Sequence, residues 1–257
     1  MDLHKPKPWH GVREFLKEYV IIVVGVLTAL GAEAVVENLH WQEKVRRAEA
    51  AERPELQALY FAAYERNRTY PCREQRIDQL KAALLAGQGE WTPLPPMKVL
   101  GRDVALATVS RGWRDQVWRS VVADGTASHL PPAREQLYAD VMGQAEAIEA
   151  HNTDENAQNA QLNLLQNRVL LSPDMRAQLV EKLEQERGRN WREAATARQF
   201  MLKIDKLIAP DPKAMQERLE TASGTYEACY DAGLLPHGSP PHHEPSPEVA
   251  RMLGGKF

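Results

Sequence analysis

The stretch Tyr19-Val-Ile-Ile-Val-Val-Gly-Val-Leu-Thr-Ala-Leu-Gly-Ala-Glu-Ala-Val-Val36 carries no charge before Glu33. Wound as a helix at ~1.5 Å per residue, it reaches roughly 27 Å, close to a bilayer hydrocarbon core of about 30 Å. The run therefore predicts one transmembrane helix over 19–36, preceded by a short segment over 1–18. Upstream, Val12, Phe15, Leu16 and Tyr19 share a helical face beside Arg13 and Lys17, and Trp9 and Trp41 flank the span as interfacial aromatics do. One helix from about Gly11 to Arg53 accounts for the whole pattern.

The span has two unlike faces. Gly25, Thr28, Ala29, Ala32 and Glu33 recur at offsets of three and four, so they lie together. Small residues let a second helix backbone approach closely, and a carboxylate at membrane depth is costly unless it meets protein, water or headgroups. This face is the expected packing surface for another transmembrane helix, from a partner protein or a second copy. The alternative is Glu33 snorkelling to the interface beside residues that are common in any span. A cleavable signal peptide is the rival to the anchor itself, with Val20–Leu30 as its apolar region and Ala32-Glu-Ala34 as its cleavage site. Glu14 and Glu18 in its leading region, and a helical pattern running through the cut, favour an intact anchor.

The pattern Glu18-Tyr-Val-Ile-Ile-Val-Val-Gly-Val-Leu-Thr-Ala-Leu30, followed by Glu33, Val36-Glu37-Asn38 and Trp41, resembles an uncharacterised family of bacterial single-pass inner-membrane proteins. The resemblance covers about the first 50 residues, with the positions of Cys72 and Cys229 as weaker support. It implies an intact anchor and carries no known activity. Basic residues are equally numerous on both flanks: Lys5, Lys7, Arg13 and Lys17 against Lys44, Arg46, Arg47 and Arg53. Arg13 and Lys17 abut the span, whereas Glu33 and Glu37 precede the first lysine beyond it. That asymmetry predicts a cytoplasmic N-terminus and a periplasmic C-terminal domain.

Outward from the anchor, the chain of 257 residues has 32 Lys plus Arg against 35 Asp plus Glu. A net charge of -3 gives no basic footprint for nucleic acid, which is excluded as an expected partner. Few glycines and many Ala, Leu, Glu, Gln and Arg favour helix throughout. The expected fold is all-α, a transmembrane helix followed by an antiparallel helical bundle over 37–233 and a Pro-, His- and Gly-rich tail over 234–257. Cys72 and Cys229 stand in no metal-ligand spacing. An exported domain would join them in a disulfide, and a reducing compartment would leave two thiols.

Pro54 predicts a hinge near Arg53, and Tyr70-Pro71 predicts the end of the next helix. A short helix on Ile77, Leu80 and Leu84 closes at Gly87. Residues 88–97 read as a surface connection pinned by Trp91, and 99–109 as helix for want of a strand partner. Trp113, Val117 and Val121 mark another helix, ending near Gly125. After Pro131-Pro132 a stripe of Leu137, Val141, Ala145 and Ile148 resumes at Leu162, Leu165 and Val169. Between its halves Asn152, Glu155 and Asn159 occupy core positions. The expected reading is a solvated or locally broken stretch, and the alternative is a polar layer lining a ligand pocket. Ser172-Pro173-Asp174 starts a helix running to Ala209, and Asp211-Pro212 starts the last, with Met215, Leu219, Ala222, Tyr226 and Cys229 on its seam.

No phosphate loop, nucleophile elbow or zinc-protease motif occurs. His237, His242 and His243 lack carboxylate or thiol companions and read as solvated tail. No cofactor, metal or catalytic residue is expected. The sequence points to a non-enzymatic accessory or scaffolding protein. Its rival is a ligand-sensing bundle, which would have to signal through a partner membrane protein because only about 18 residues precede the span.

Overall fold

The computed structural model describes residues 11–235 except Ser110, Arg114, Ser223 and the side chain of Gln158. The expectations placed on Trp9, Lys5, Lys7 and the tail histidines lie outside the described residues. Helix makes up 79 % of the structure, so the chain is all-α in class. The helices are α1 (Val12–Ala86), α2 (Gln116–Ala123), α3 (Pro132–Leu162), α4 (Pro173–Ile208), α5 (Pro212–Thr221) and α6 (Thr225–Asp231). Short 3₁₀ turns cover Thr126–His129 and Asn163–Gln166. Four very short strands, β1 (Glu90–Trp91), β2 (Met97–Val99), β3 (Arg102–Val104) and β4 (Val169–Leu170), form two antiparallel pairs, β1 with β4 and β2 with β3.

Helix α1 spans 75 residues without interruption, which corrects both the hinge expected near Arg53 and the stop expected at Tyr70. Each internal proline withholds one N–H, from the carbonyl four residues earlier. Those carbonyls belong to Ala50, which is exposed, and Asn67, which is half-buried, so water can satisfy both. Packing on either side of the prolines outweighs their local preference. The first half of the helix is the one described element long and apolar enough to cross a membrane, and its most apolar 18 residues are covered by nothing else among the described residues. The domain begins at a collar where Trp41 stacks on His129 with centroids 3.7 Å apart and Lys44 pairs with Asp124 at 3.2 Å.

From Leu56 onward α1 is the spine of the domain and packs chiefly against α4. A large apolar core joins Leu56, Leu59 and Phe61 of α1 to Trp118, Val141, Phe200, Ile204, Leu219 and Tyr226. A smaller one joins Ile77, Leu80 and Leu84 to Trp91, Leu162, Leu165, Leu179 and Leu183. Cys72 and Cys229 are both buried and form a disulfide with Cα atoms 5.9 Å apart, tying α1 to α6 across 157 residues of chain.

Three further expectations need correction. Residues 99–109 are not helical, because β2 and β3 supply each other's strand partner across a turn at Leu100 and Gly101, both at positive φ. Gly101 adopts that conformation freely, whereas Leu100 holds it under strain. Val169 leaves the helical stripe to pair with Trp91. The seam expected from Met215 to Cys229 is split where α5 ends and Gly224 precedes α6. Start signals fare better: Ser172 accepts from the Met175 N–H at 3.2 Å, and Asp211 accepts from the Lys213 N–H at 2.9 Å. Trp91 anchors the 88–97 connection as expected, donating its indole N–H to the Leu165 carbonyl at 2.8 Å.

Candidate functional site

Between the two apolar cores lies a layer of buried charge. Along α1 the residues Leu59, Arg66, Arg73 and Leu80 step by seven, which places two arginines on the face that packs inward. On α3 the same inward positions after Ile148 are Asn152, Glu155 and Asn159, and on α4 those after Leu183 are Glu186, Asn190 and Glu193. All eight side chains are buried. The expectation of a solvated or broken stretch at 152–159 is therefore overturned: α3 continues through it as regular helix with its polar residues turned inward.

Glu155, 1 % exposed, is the hub. One carboxylate oxygen accepts from Arg73 at 2.5 Å and the other from Arg66 at 3.1 Å. Arg66 also donates to the Asn152 side chain at 2.5 Å and to the Val109 carbonyl at 2.9 Å, and pairs with Glu193. Arg73 donates to Asn190 at 2.9 Å, with Glu186 at 3.8 Å. Asn190 returns to α1 through the Glu74 carboxylate at 2.6 Å. A chain of alternating charge thus links all three long helices. Taking such ions out of water is expensive, and only mutual pairing repays it.

The titration directions follow this balance. Burial pushes the Glu155 carboxyl up, but Arg73 and Arg66 outweigh it and hold the group below its ordinary value. Glu186 has weaker compensation, and burial raises it. Desolvation lowers the Arg66 guanidinium, partly offset by Glu155.

The layer opens to solvent at a cleft of about 230 Å³ beside Arg66 and Glu193. Trp113, Ile148 and Ala197 give it apolar walls, while His151, Arg189 and Arg192 stand with Asp154 as polar lining. Both signs of charge beside an aromatic ring suit a small zwitterion or an anion. A second buried carboxylate, Glu65, ties α6 in place by accepting from the Thr225 N–H at 3.1 Å and from Arg111 at 2.5 Å. A Cβ at Gly224 would stand 2.7 Å from that carboxylate, so the approach requires glycine there.

Of the residues singled out from sequence, Asn152 and Glu155 come together at Arg66, whereas Asn159 faces a different groove, beside β3. Gly25, Thr28, Ala29, Ala32 and Glu33 lie on the exposed half of α1, where Thr28 donates to its own helix at Val24. Arg66, Arg73, Glu186, Asn190 and Glu193 were missed. Their signal was present as charged or amide residues at core-register positions on two further helices. Among the described residues no three His, Cys, Asp or Glu side chains converge as metal ligands. No family model, curated protein or solved structure matches the chain.

Proposed function

We propose that this chain is a single-pass protein of the bacterial inner membrane that serves as a non-enzymatic accessory or scaffolding subunit of an envelope complex. Its N-terminus lies in the cytoplasm and its domain, an antiparallel bundle of α1, α3 and α4, lies in the periplasm. The supporting observation is the division of α1. An apolar half with no cover from the other described residues continues without a break into the core of the domain. Such a helix holds the domain at a fixed attitude to the bilayer and leaves the Gly25, Thr28, Ala29, Ala32 and Glu33 face for another helix. Cross-linking in native membranes through Ala29→Cys tests this reading. A dimer or a discrete adduct is expected, and a strictly monomeric anchor contradicts it. Sidedness has its own test: in envelope protein denatured without reductant, Cys72 and Cys229 should resist thiol labelling until reduced, and two freely labelled thiols would reverse the orientation.

A second reading, a ligand-sensing bundle, draws support from the cleft at Arg66 and Glu193. There α1 joins the ion layer directly to the anchor. Free amino acids and small carboxylates should raise the melting temperature of the purified chain if it senses them. An unchanged melting temperature across that panel counts against sensing and leaves scaffolding untouched.

A further inference from the structure

A groove separate from the ion layer runs between β3 and the C-terminal end of α3. Its walls include Val104 and Leu106 on one side and Asn156, Asn159 and Asn163 on the other, and its volume is about 460 Å³. The three asparagines recur at offsets of three and four, so their carboxamides line one side of the helix, one turn apart. Asn156 accepts from the Thr108 hydroxyl at 3.3 Å, and Asn163 accepts from Gln166 at 2.7 Å. Asn159 differs. It is 9 % exposed, and neither its carboxamide oxygen nor its nitrogen has a hydrogen-bond partner among the described residues. Orphan buried amides are rare, because losing water without a replacement partner is costly.

The opposite wall supplies the complement. β3 pairs with β2 and with no other described strand, so its outer edge keeps the unpaired N–H and C=O groups of an edge strand. Its side chains Arg102 and Asp103 are exposed. Three strand residues extend about 10 Å, and the helix from Asn156 to Asn163 rises about 10 Å, so the walls match in length. A carboxamide offers both N–H donors and a carbonyl acceptor, the two kinds of group that a peptide unit requires.

From this juxtaposition we infer that the groove takes an extended peptide segment of a partner protein. The peptide adds as a third strand to the edge of β3, and its outward backbone groups bond to Asn159 and its neighbours. Arg102 is the one charged residue among the described residues lining the groove, so the favoured peptide carries an acidic residue beside small apolar ones. Strand addition derives affinity from main-chain bonds, and side-chain pockets set preference. The inference rests on the scaffolding reading only in supplying it with a kind of partner, and it stands or falls without the anchor.

The test uses the full chain in detergent micelles, panned against a phage-displayed library of random heptapeptides, with empty micelles as the control. The expected result is enrichment of proline-free peptides bearing an acidic residue. Selected synthetic peptides should lose at least tenfold in affinity when their central amides are N-methylated. Arg102→Glu should weaken them by a similar factor. Asn159→Leu should abolish binding while leaving the melting temperature unchanged or raised, a result that a merely structural asparagine would not give. No enrichment over micelles overturns the inference, as does binding indifferent to both N-methylation and Asn159→Leu. Peptides that bind only after deletion of residues 236–257 would make the occupant the chain's own tail and overturn the assignment to a partner.

Discussion

The two halves of α1 share one backbone and oppose each other in almost every other respect. From Val12 to Leu39 the helix is exposed and carries Val, Ile and Leu around most of its circumference. From Glu52 to Leu84 one face is buried, yet it carries Arg66, Arg68, Arg73 and Arg76 into the interior. Apolar residues lie outside and charge lies inside, which inverts the usual order for a water-soluble protein. Each half is reasonable in its own solvent. On the proposed reading a bilayer covers the first, and the carboxylates and amides of α3 and α4 compensate the second.

The largest effect expected from breaking this arrangement is in the buried half. Arg73→Met leaves Glu155 and Glu186 short of a cation and should cost about 3–5 kcal/mol in urea unfolding, as removal of one member of a buried ion group does. Replacing Arg73, Glu155 and Glu186 together by apolar residues of similar volume should recover most of that loss. A single variant as stable as the parent would mean that the layer is not compensated as described.

Next comes the link that closes the buried half onto α6. Cys72→Ala with Cys229→Ala should lower unfolding free energy by about 2–5 kcal/mol, because the bridge closes a very long loop. The loss is read from the shift in urea midpoint between oxidised parent and variant.

A pH-dependent effect belongs to the boundary between the halves. Glu52 is buried with neither carboxyl oxygen hydrogen-bonded, and desolvation, aided by Glu55 and Asp115, pushes its pKa up to about 8. The folded protein holds this proton more tightly than the unfolded chain, whose ordinary value is 4.5. The associated stability is complete below that value and is lost as pH rises through about 8. Its slope is at most about 1.4 kcal/mol per pH unit. Glu52→Gln should flatten this part of the stability profile between pH 5 and pH 8, and an unchanged slope would refute the assignment. Smallest of all, Arg46→Ala breaks an exposed pair with Glu43 and should change stability by less than about 0.5 kcal/mol.

How much of this was legible in the sequence differs between the halves in the same way. The apolar run at 19–36 and the caps at Ser172 and Asp211 are local signals, and the structure bears out the helix and both caps. Pro54 and Pro71 are also local signals, yet they misled, because the packed half of α1 overrides a preference worth about 3 kcal/mol each. The β2–β3 hairpin was hidden for another reason: its partner lies only a few residues away, and three-residue strands leave no readable alternation. The ion layer was legible on α3 alone. Asn152 and Glu155 stood out against an apolar stripe, but Arg66, Arg73 and Glu193 look like solvated faces until the helices are set side by side. Charge at a core position has meaning only with its partner, and the partner lies 80 or more residues away.

One unbroken helix joins the exposed apolar segment to the buried ion layer. Spin labels at Glu37→Cys and Ala82→Cys, both exposed positions, bracket Pro54 and Pro71 in the full chain. Pulsed electron–electron resonance in nanodiscs should give a single narrow distance of roughly 68 Å, the span of a continuous helix at about 1.5 Å per residue. A broad distribution at clearly shorter distances would place a working hinge at a proline and contradict the account.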